Sequence, residues 1–449
     1  MAHSLFLTFL DSVEVLRPAL TRPGFDNLLI LVVGWILTQG PHAVTQTLVA
    51  TQVAGRRHHE AFHRFFSRGT WAPDHLGHRL FQAILALGPK DGPIRVCLDD
   101  TLAPKKGPQV FGIGSHLDAV RSTRLCRLFT FGHCWVMLAV LVKVPFSTRT
   151  WALPVLFRLY RSKQSCDLRT RTYRKKTQLG RQMLDVLVGW VGDRRIELTA
   201  DSAFCNDTVT RGLAASVVLV GAMRPDAVLT ALPSAPPPGK RGRPRKRGEV
   251  LAKPKELAKD PALPWKSCRA TLYGRTHTVR YKDCFAQWYR ACGPGLLHVV
   301  VVWVEQGSVD LRVFFCTDPR LSVVQILEGY AGRWAIEVCF RDLKQLLGFA
   351  DSSARKREAV ERMAPWVGFL YTLLVLWFTR HAYKSPVATP PYRPWYLHKQ
   401  GLCFADILRT AQRVLEPVDI LDPLRRSKDL KKFRRLPARP SPHRYVRAP

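Results

Sequence analysis

The chain is predicted to be an α/β protein built on a mixed sheet, with a helical region ahead of it and a basic tail behind. Three observations predict this. Between Pro93 and Gly221 short β-like runs and helical stretches follow the order three strands, helix, strand, helix, strand, the pattern of a layered α/β unit. Residues 1 to about 90 carry longer helical patterns instead. Hydrophobic residues make up 47% of the 449-residue chain although its net charge is +35, so core-forming material and a strongly basic surface coexist.

In the first region, 27–37 is apolar and 59–66 alternates aromatics with His and Arg, before a break at 67–73. Residues 43–53, followed by Gly55-Arg56-Arg57, suit part of a helix-turn-helix and equally a plain bundle with basic trim. The strands that follow are expected at 94–98, 134–144 and 150–159, then a helix at 173–191, a strand at 196–200, a short helix at 207–214 and a strand at 216–221. Residues 223–294 interrupt this unit. Their 233–239 stretch is Pro-rich, and 240–248 reads Lys-Arg-Gly-Arg-Pro-Arg-Lys-Arg-Gly, a basic segment that cannot build a core. Its Gly242-Arg243-Pro244 resembles a hook for the narrow minor groove, and a solvated linker touching phosphates is the simpler account. Strands resume at 296–304 and 311–316 and lead into a helix around Tyr330; from Arg425 the chain is cationic with few apolar residues and reads as a disordered tail. The expected divisions are thus 1–90 (helical, DNA-binding), 91–222 and 295–380 (two parts of one core), 223–294 (basic insertion) and 381–449 (basic C-terminal region).

Lys and Arg number 69 against 34 Asp and Glu, which points to a polyanionic partner, nucleic acid first, because neutralising phosphates and releasing counterions needs many cations on a broad surface. A basic membrane protein is the competing class. The apolar runs 28–37 and 366–378 fall short of the ~20 residues that span a bilayer, and 136–142 stops at Lys143 and Pro145. No secretory signal pattern opens the chain, so a cytoplasmic location is expected. The 11 cysteines include no Cys-x-x-Cys pair. Cys126, His133 and Cys134 lack a second half-site for zinc and read as ordinary thiols.

The sharpest signal is the spacing of Tyr330, Arg333, Glu337 and Lys344. On one helix at about 100° per residue they fall within an arc of about 60°, bordering the apolar face of Ile336, Phe340, Leu343 and Leu347. A carboxylate between two cations at a core edge is a site geometry, though a charged helix face gives the same spacing. Two further acids close strands: Asp99 and Asp100 after 94–98, and Asp201 after 196–200. Strand ends hold a side chain rigidly while leaving it open. Three carboxylates from separated segments suit Mg²⁺ or Mn²⁺, and two such ions about 4 Å apart stabilise the attacking and leaving oxygens of displacement at phosphorus.

With these residues in view, the chain resembles a DDE-type insertion-sequence transposase of the group marked by Tyr-x2-Arg-x3-Glu-x6-Lys, whose spacing 330–333–337–344 reproduces. Leu98-Asp-Asp-Thr101 with Pro104-Lys-Lys-Gly107 is similar to the first-aspartate segment, and Ala200-Asp-Ser-Ala-Phe204 to the second. The resemblance covers most of residues 25–380. It implies an RNase H-like core with an insertion between the last strand and the glutamate helix. It also implies metal-dependent cleavage of transposon ends and joining of the freed 3′-hydroxyl to target DNA. By it, Asp100, Asp201 and Glu337 are the catalytic metal ligands for Mg²⁺ or Mn²⁺. Tyr330, Arg333 and Lys344 hold the DNA, with Arg341, Arg243, Arg245 and Lys246 as further contacts. Asp99 stays open in place of Asp100: on a continuing pleat Asp100 shares a face with Val96 and Leu98, and Asp99 with Arg95 and Cys97, which does not choose between them.

The implied partners are double-stranded DNA, as terminal inverted repeats and target, and a second copy of the chain in a synaptic dimer, at the nucleoid. A DNA-binding protein descended from a transposase without cleavage is the alternative. The intact set of acids favours the enzyme.

Overall fold

The sheet is built from ten strands: β1 (Ile94–Pro104), β2 (Gly114–Leu117), β3 (Phe129–Lys143), β4 (Thr150–Tyr160), β5 (Ile196–Ala200), β6 (Val217–Met223), β7 (Lys266–Leu272), β8 (Arg275–Gln287), β9 (Leu296–Gln306) and β10 (Ser308–Cys316). The computed structural model describes residues 2–416 except 90, 108, 124, 167–172, 235–244, 307, 393 and 396–400, with the backbone alone for 304–306 and 308–310. The order across the sheet is β2-β3-β1-β5-β6-β10-β9-β8-β7, and β4 pairs β3. β2 and β4 share one edge of β3 at its two ends. Only β1–β5 and β5–β6 are parallel. Three antiparallel strands followed by two parallel ones form the RNase H-like core, with β10, β9, β8 and β7 continuing the same sheet beyond β6. β4 tolerates Pro154 because it lies at the edge, beside a register shift at Leu138/Ala139, where no ladder donor is lost.

This differs from the expected insertion. Residues 223–294 contain β7 and β8, which pair with each other and with β9, so the stretch adds strands to the sheet as well as a basic loop. Their alternation of Lys266, Arg269, Arg275 and Arg280 with smaller residues hides a half-solvated antiparallel ribbon. β2 was also not expected, being four residues long. Arg243 and most of the 240–248 run lie outside the described residues; Arg245 and Lys246 are exposed.

The helices are α1 (Ala2–Glu14), α2 (Arg22–Leu37), α3 (Val44–Ala50), α4 (Glu60–Ser67), α5 (Pro73–Leu85), α6 (Lys176–Val191), α7 (Asp207–Thr210), α8 (Pro254–Lys259), α9 (Tyr289–Cys292), α10 (Val323–Gly332), α11 (Trp334–Leu346), α12 (Arg357–Trp377) and α13 (Phe404–Leu415). α12 is long and apolar enough to cross a membrane by length and composition, and it is almost wholly buried. It docks on β4, where Thr372 Oγ1 donates to Pro154 O at 2.9 Å. The helices of residues 1–90 wrap it: Trp377 Nε1 donates to Thr8 Oγ1 at 3.2 Å and Arg362 to Phe66 O at 2.8 Å, while Trp35 Nε1 donates to Leu347 O just past α11 at 3.0 Å. N-terminal helices, α12 and α13 therefore share one apolar core with the sheet.

α6 and α11 cover opposite faces of β1. Leu98 turns toward α6, where a Cβ at Gly180 would come within 2.7 Å of it. Cys97, one residue earlier, lies on the side of Cys339 of α11. That split decides which of the two adjacent aspartates meets the glutamate helix.

Candidate active site

β1 and β5 run parallel with Leu98 opposite Ala200, so Asp99, still within β1, stands beside Asp201, the first residue past β5, about 4.8 Å away in the pairing direction. Asp201 is fixed by its own turn, its Oδ1 accepting from the N–H groups of Ala203 at 3.0 Å and Phe204 at 3.3 Å. Asp99 shares the face of Cys97 and therefore points toward α11.

There Arg333 gathers the acids. Its Nη1 lies 2.8 Å from Asp99 Oδ2 and its Nη2 2.8 Å from Glu337 Oε1. The guanidinium carbon sits 5.5 Å from the centre of the Tyr330 ring, which itself packs on Phe314. The Arg333 side chain is only 13% exposed, and burial disfavours its charge, yet Asp99, Tyr330 and Glu337 hold it firmly protonated. Its Nε is buried with no protein acceptor.

Tyr330, Arg333, Glu337 and Lys344 do not lie on one unbroken helix as the spacing suggests. α10 ends at Gly332 and α11 begins at Trp334. Arg333 N donates to Tyr330 O and Ile336 N to Arg333 O, both three residues apart, so the turn tightens where Gly332 lowers helix preference. The axis is nearly kept, because Arg333 itself stays in the right-handed region. The stripe survives: Glu337 pairs with Arg333, and exposed Lys344 follows at the far end of α11. Arg341, by contrast, is held by Asp342, with Nη2 to Oδ1 at 2.9 Å.

Asp100 faces the other way. Its Oδ2 pairs with Lys176 Nζ of α6 at 2.6 Å and accepts from Cys134 Sγ at 3.2 Å. Burial and the adjoining Asp100 push the Cys134 thiol up to about 12. The expected set of Asp100, Asp201 and Glu337 is therefore not what converges. Asp99 takes the place beside Arg333 and Glu337 because the pleat puts it, and not Asp100, on the α11 face.

Electrostatics mark the same spot. Burial, with the like charges of Asp201 and Asp100, raises the Asp99 carboxyl to about 7 against the pull of Arg333. Burial raises Asp201 as well. Crowded, desolvated carboxylates at a sheet end are a common mark of a functional site. Hard carboxylate oxygens from Asp99, Asp201 and Glu337 fit a divalent cation such as Mg²⁺ by donor chemistry, and their mutual repulsion is what a cation relieves. As arranged, Arg333 supplies that countercharge, and among the described residues no three His, Cys, Asp or Glu side chains converge on a common point.

Sequence reading missed Lys176, Cys134 and the task of Lys105. Lys105 Nζ donates to Ala350 O at 2.6 Å and Ser352 O at 2.5 Å, tying the end of β1 to the loop after α11, while Lys106 stays exposed. The Lys-Lys pair before Gly107 was visible in the sequence; which of the two turns inward was not.

Comparison with known families matches residues 15–286 to the DDE superfamily endonuclease family. The chain belongs to that family. A search of curated proteins found no match. The matched span holds Asp99, Asp100 and Asp201 and ends before Glu337, so the fold brings the glutamate helix to the two aspartates independently of the match. Membership makes DNA the substrate class and divalent metal ions the family's cofactors. In this member of the DDE endonuclease family, Arg333 joins Asp99 to Glu337, and Asp201 stands on the neighbouring strand beside Asp99.

Proposed function

We propose that the chain is an insertion-sequence transposase of the Tyr-Arg-Glu-Lys signature group, cutting transposon ends and joining the freed 3′-hydroxyl to target DNA. The observation that carries this reading is the Arg333 bridge, which joins Glu337 of the signature stripe to Asp99 of β1. In this reading Asp99, Asp201 and Glu337 hold Mg²⁺, or Mn²⁺, which when bound activates the attacking oxygen and screens charge at phosphorus.

The protein's own groups do the positioning. Arg333 turns its guanidinium fork from Asp99 and Glu337 to a phosphate oxygen of the cut strand once those acids take the metal. Lys344 adds a point charge further along the same strand, and the Tyr330 ring fixes the guanidinium plane. Asp100, paired with Lys176, positions rather than ligates. The Arg245 and Lys246 loop and the N-terminal helices extend the contact with duplex DNA, and two copies assemble to bring two ends together. A nucleoid location follows from that partner.

The test uses duplexes carrying the inverted repeats that border the coding region, incubated with the protein in Mg²⁺. Nicks with 3′-hydroxyl ends at the repeat boundary, then strand joining to a second duplex, are expected. Asp201→Asn is expected to keep DNA binding and lose cutting by at least about 10³-fold. Tight binding with no cutting by the unmodified protein would instead establish a DNA-binding descendant.

A further inference from the structure

The β2–β3 hairpin presents an apolar surface that the fold does not use. Leu117 pairs with Phe129 and Ser115 with Phe131; their side chains share one face, and Leu117, Phe129 and Phe131 are 50%, 64% and 56% exposed. At the tip Val120 and Leu125 are almost fully exposed. The hairpin is nevertheless well ordered by its own bonds. Asp118 N donates to Leu128 O at 2.9 Å, Leu128 N to Ser122 Oγ at 3.0 Å, and Lys105 N to Phe131 O at 3.0 Å.

This face is the outward continuation of the face that carries Asp99. The β1–β3 ladder sets Asp99 opposite Met137, Thr101 opposite Trp135 and Ala103 opposite His133. Counting on by twos along β3 reaches Phe131 and Phe129. The six residue steps from Met137 to Phe131 span about 20 Å, on the order of six nucleotide steps.

Its rim is cationic. The turn carries Arg121 and Arg127, both exposed, against one described acid, Asp118. That carboxylate is occupied internally by Arg121 N at 3.1 Å and Thr130 Oγ1 at 3.0 Å. A second copy of a +35 chain would bring like charge to this rim. A polyanion with flat apolar groups is complementary to both parts of the surface. Two aromatic rings at i and i+2 on a sheet face, edged by arginine, form a stacking platform for bases of an extended strand, and duplex DNA keeps those base faces covered.

Resting on the DNA-cutting reading, we propose that the Leu117/Phe129/Phe131 face binds single-stranded DNA, stacking unpaired bases that adjoin the cut. The platform lies about 20 Å along β3 from the level of Asp99, beyond the buried Trp135 and His133.

Fluorescence anisotropy of the full-length protein with labelled oligo(dT) and with a duplex of the same length, at one salt concentration, tests this without any cutting. Phe129→Ala/Phe131→Ala is expected to weaken single-strand binding at least about 30-fold, the equivalent of ~2 kcal/mol for two stacked bases. Duplex affinity and melting temperature should stay unchanged, since both rings are exposed. Phe129→Leu/Phe131→Leu, which keeps the apolar surface and removes the rings, should lose most of the same affinity. Single-strand affinity within about threefold of the unmodified protein in both variants overturns the proposal. So does a dimer in sedimentation velocity that Phe129→Ala/Phe131→Ala dissociates without changing single-strand binding, which would make the face a contact between copies. Absence of cutting with intact ring-dependent binding would strike the transposase reading alone.

Discussion

Asp99 and Asp100 are adjacent in the chain and serve opposite faces of the sheet. Asp99 meets Arg333 at 2.8 Å under α11, and Asp100 meets Lys176 at 2.6 Å under α6. One pleat thus divides the doublet into a member that joins the acidic cluster and a member that anchors the start of a helix.

Arg333 is expected to be structural and functional at once. Arg333→Ala leaves Asp99 and Glu337 facing each other without their shared cation, and breaking such a buried pair costs about 3–5 kcal/mol. Denaturant unfolding should show that loss, and Arg333→Lys a smaller one. Both variants should cut DNA at least about 10²-fold more slowly, because a point charge does not replace a planar fork on a phosphate. A Lys variant that is both fully stable and fully active would remove Arg333 from this role.

The pH dependence follows from Asp99. Its folded-state value of about 7 lies above the ordinary carboxyl value of about 3.9, so the folded protein binds this proton more tightly than the unfolded chain. The contribution of this group to stability is therefore present below pH ~4 and is lost as pH rises through 7. A divalent cation needs the ionised form, so its stabilising effect runs the other way. Added Mg²⁺ should raise the melting temperature more at pH 8 than at pH 6, and Asp99→Asn should erase the difference. Equal shifts at both pH values in the unmodified protein would contradict it.

Lys105 links β1 to the segment after α11 through Ala350 O and Ser352 O. Lys105→Ala leaves both carbonyls short of a donor in a partly buried place, at a cost of about 1–3 kcal/mol. Hydrogen exchange should quicken in α11 while α6, on the opposite face of β1, stays protected. Unchanged protection in α11 would assign the lysine to the surface.

Much of this arrangement was legible beforehand because its signals are local. β1, β5 and the acid that closes β5 follow from apolar runs ending in Asp, and the Tyr330 stripe from its spacing; β1 was expected to end at Leu98 and instead carries both aspartates within it, on to Pro104. What stayed hidden depends on contacts between distant segments. The parity of Asp99 and Asp100 was readable, but whether α11 covers the Cys97 face or the Leu98 face is settled only by packing Cys339 and Gly180 against the sheet. Lys176 gave no sign because its partner lies 76 residues away. β7 and β8 read as a linker because strands with one solvated face carry Arg and Lys as readily as loops do. α13 was absorbed into a basic tail, although its buried Ile407, Ala411 and Leu415 recur at helical spacing.

Asp99, not Asp100, is expected to work together with Glu337. End-cutting rates in Mg²⁺ should be measured for Asp99→Asn, Asp100→Asn, Glu337→Gln and the Asp99→Asn/Glu337→Gln double variant, with duplex binding followed in parallel. If one site holds both acids, Asp99→Asn and Glu337→Gln each lose at least about 10³-fold, and the double variant is no worse than either, as expected for groups acting as a unit. Asp100→Asn should keep cutting within about tenfold. Near-normal cutting by Asp99→Asn, with activity lost in Asp100→Asn, would contradict the account and move the site to the α6 face.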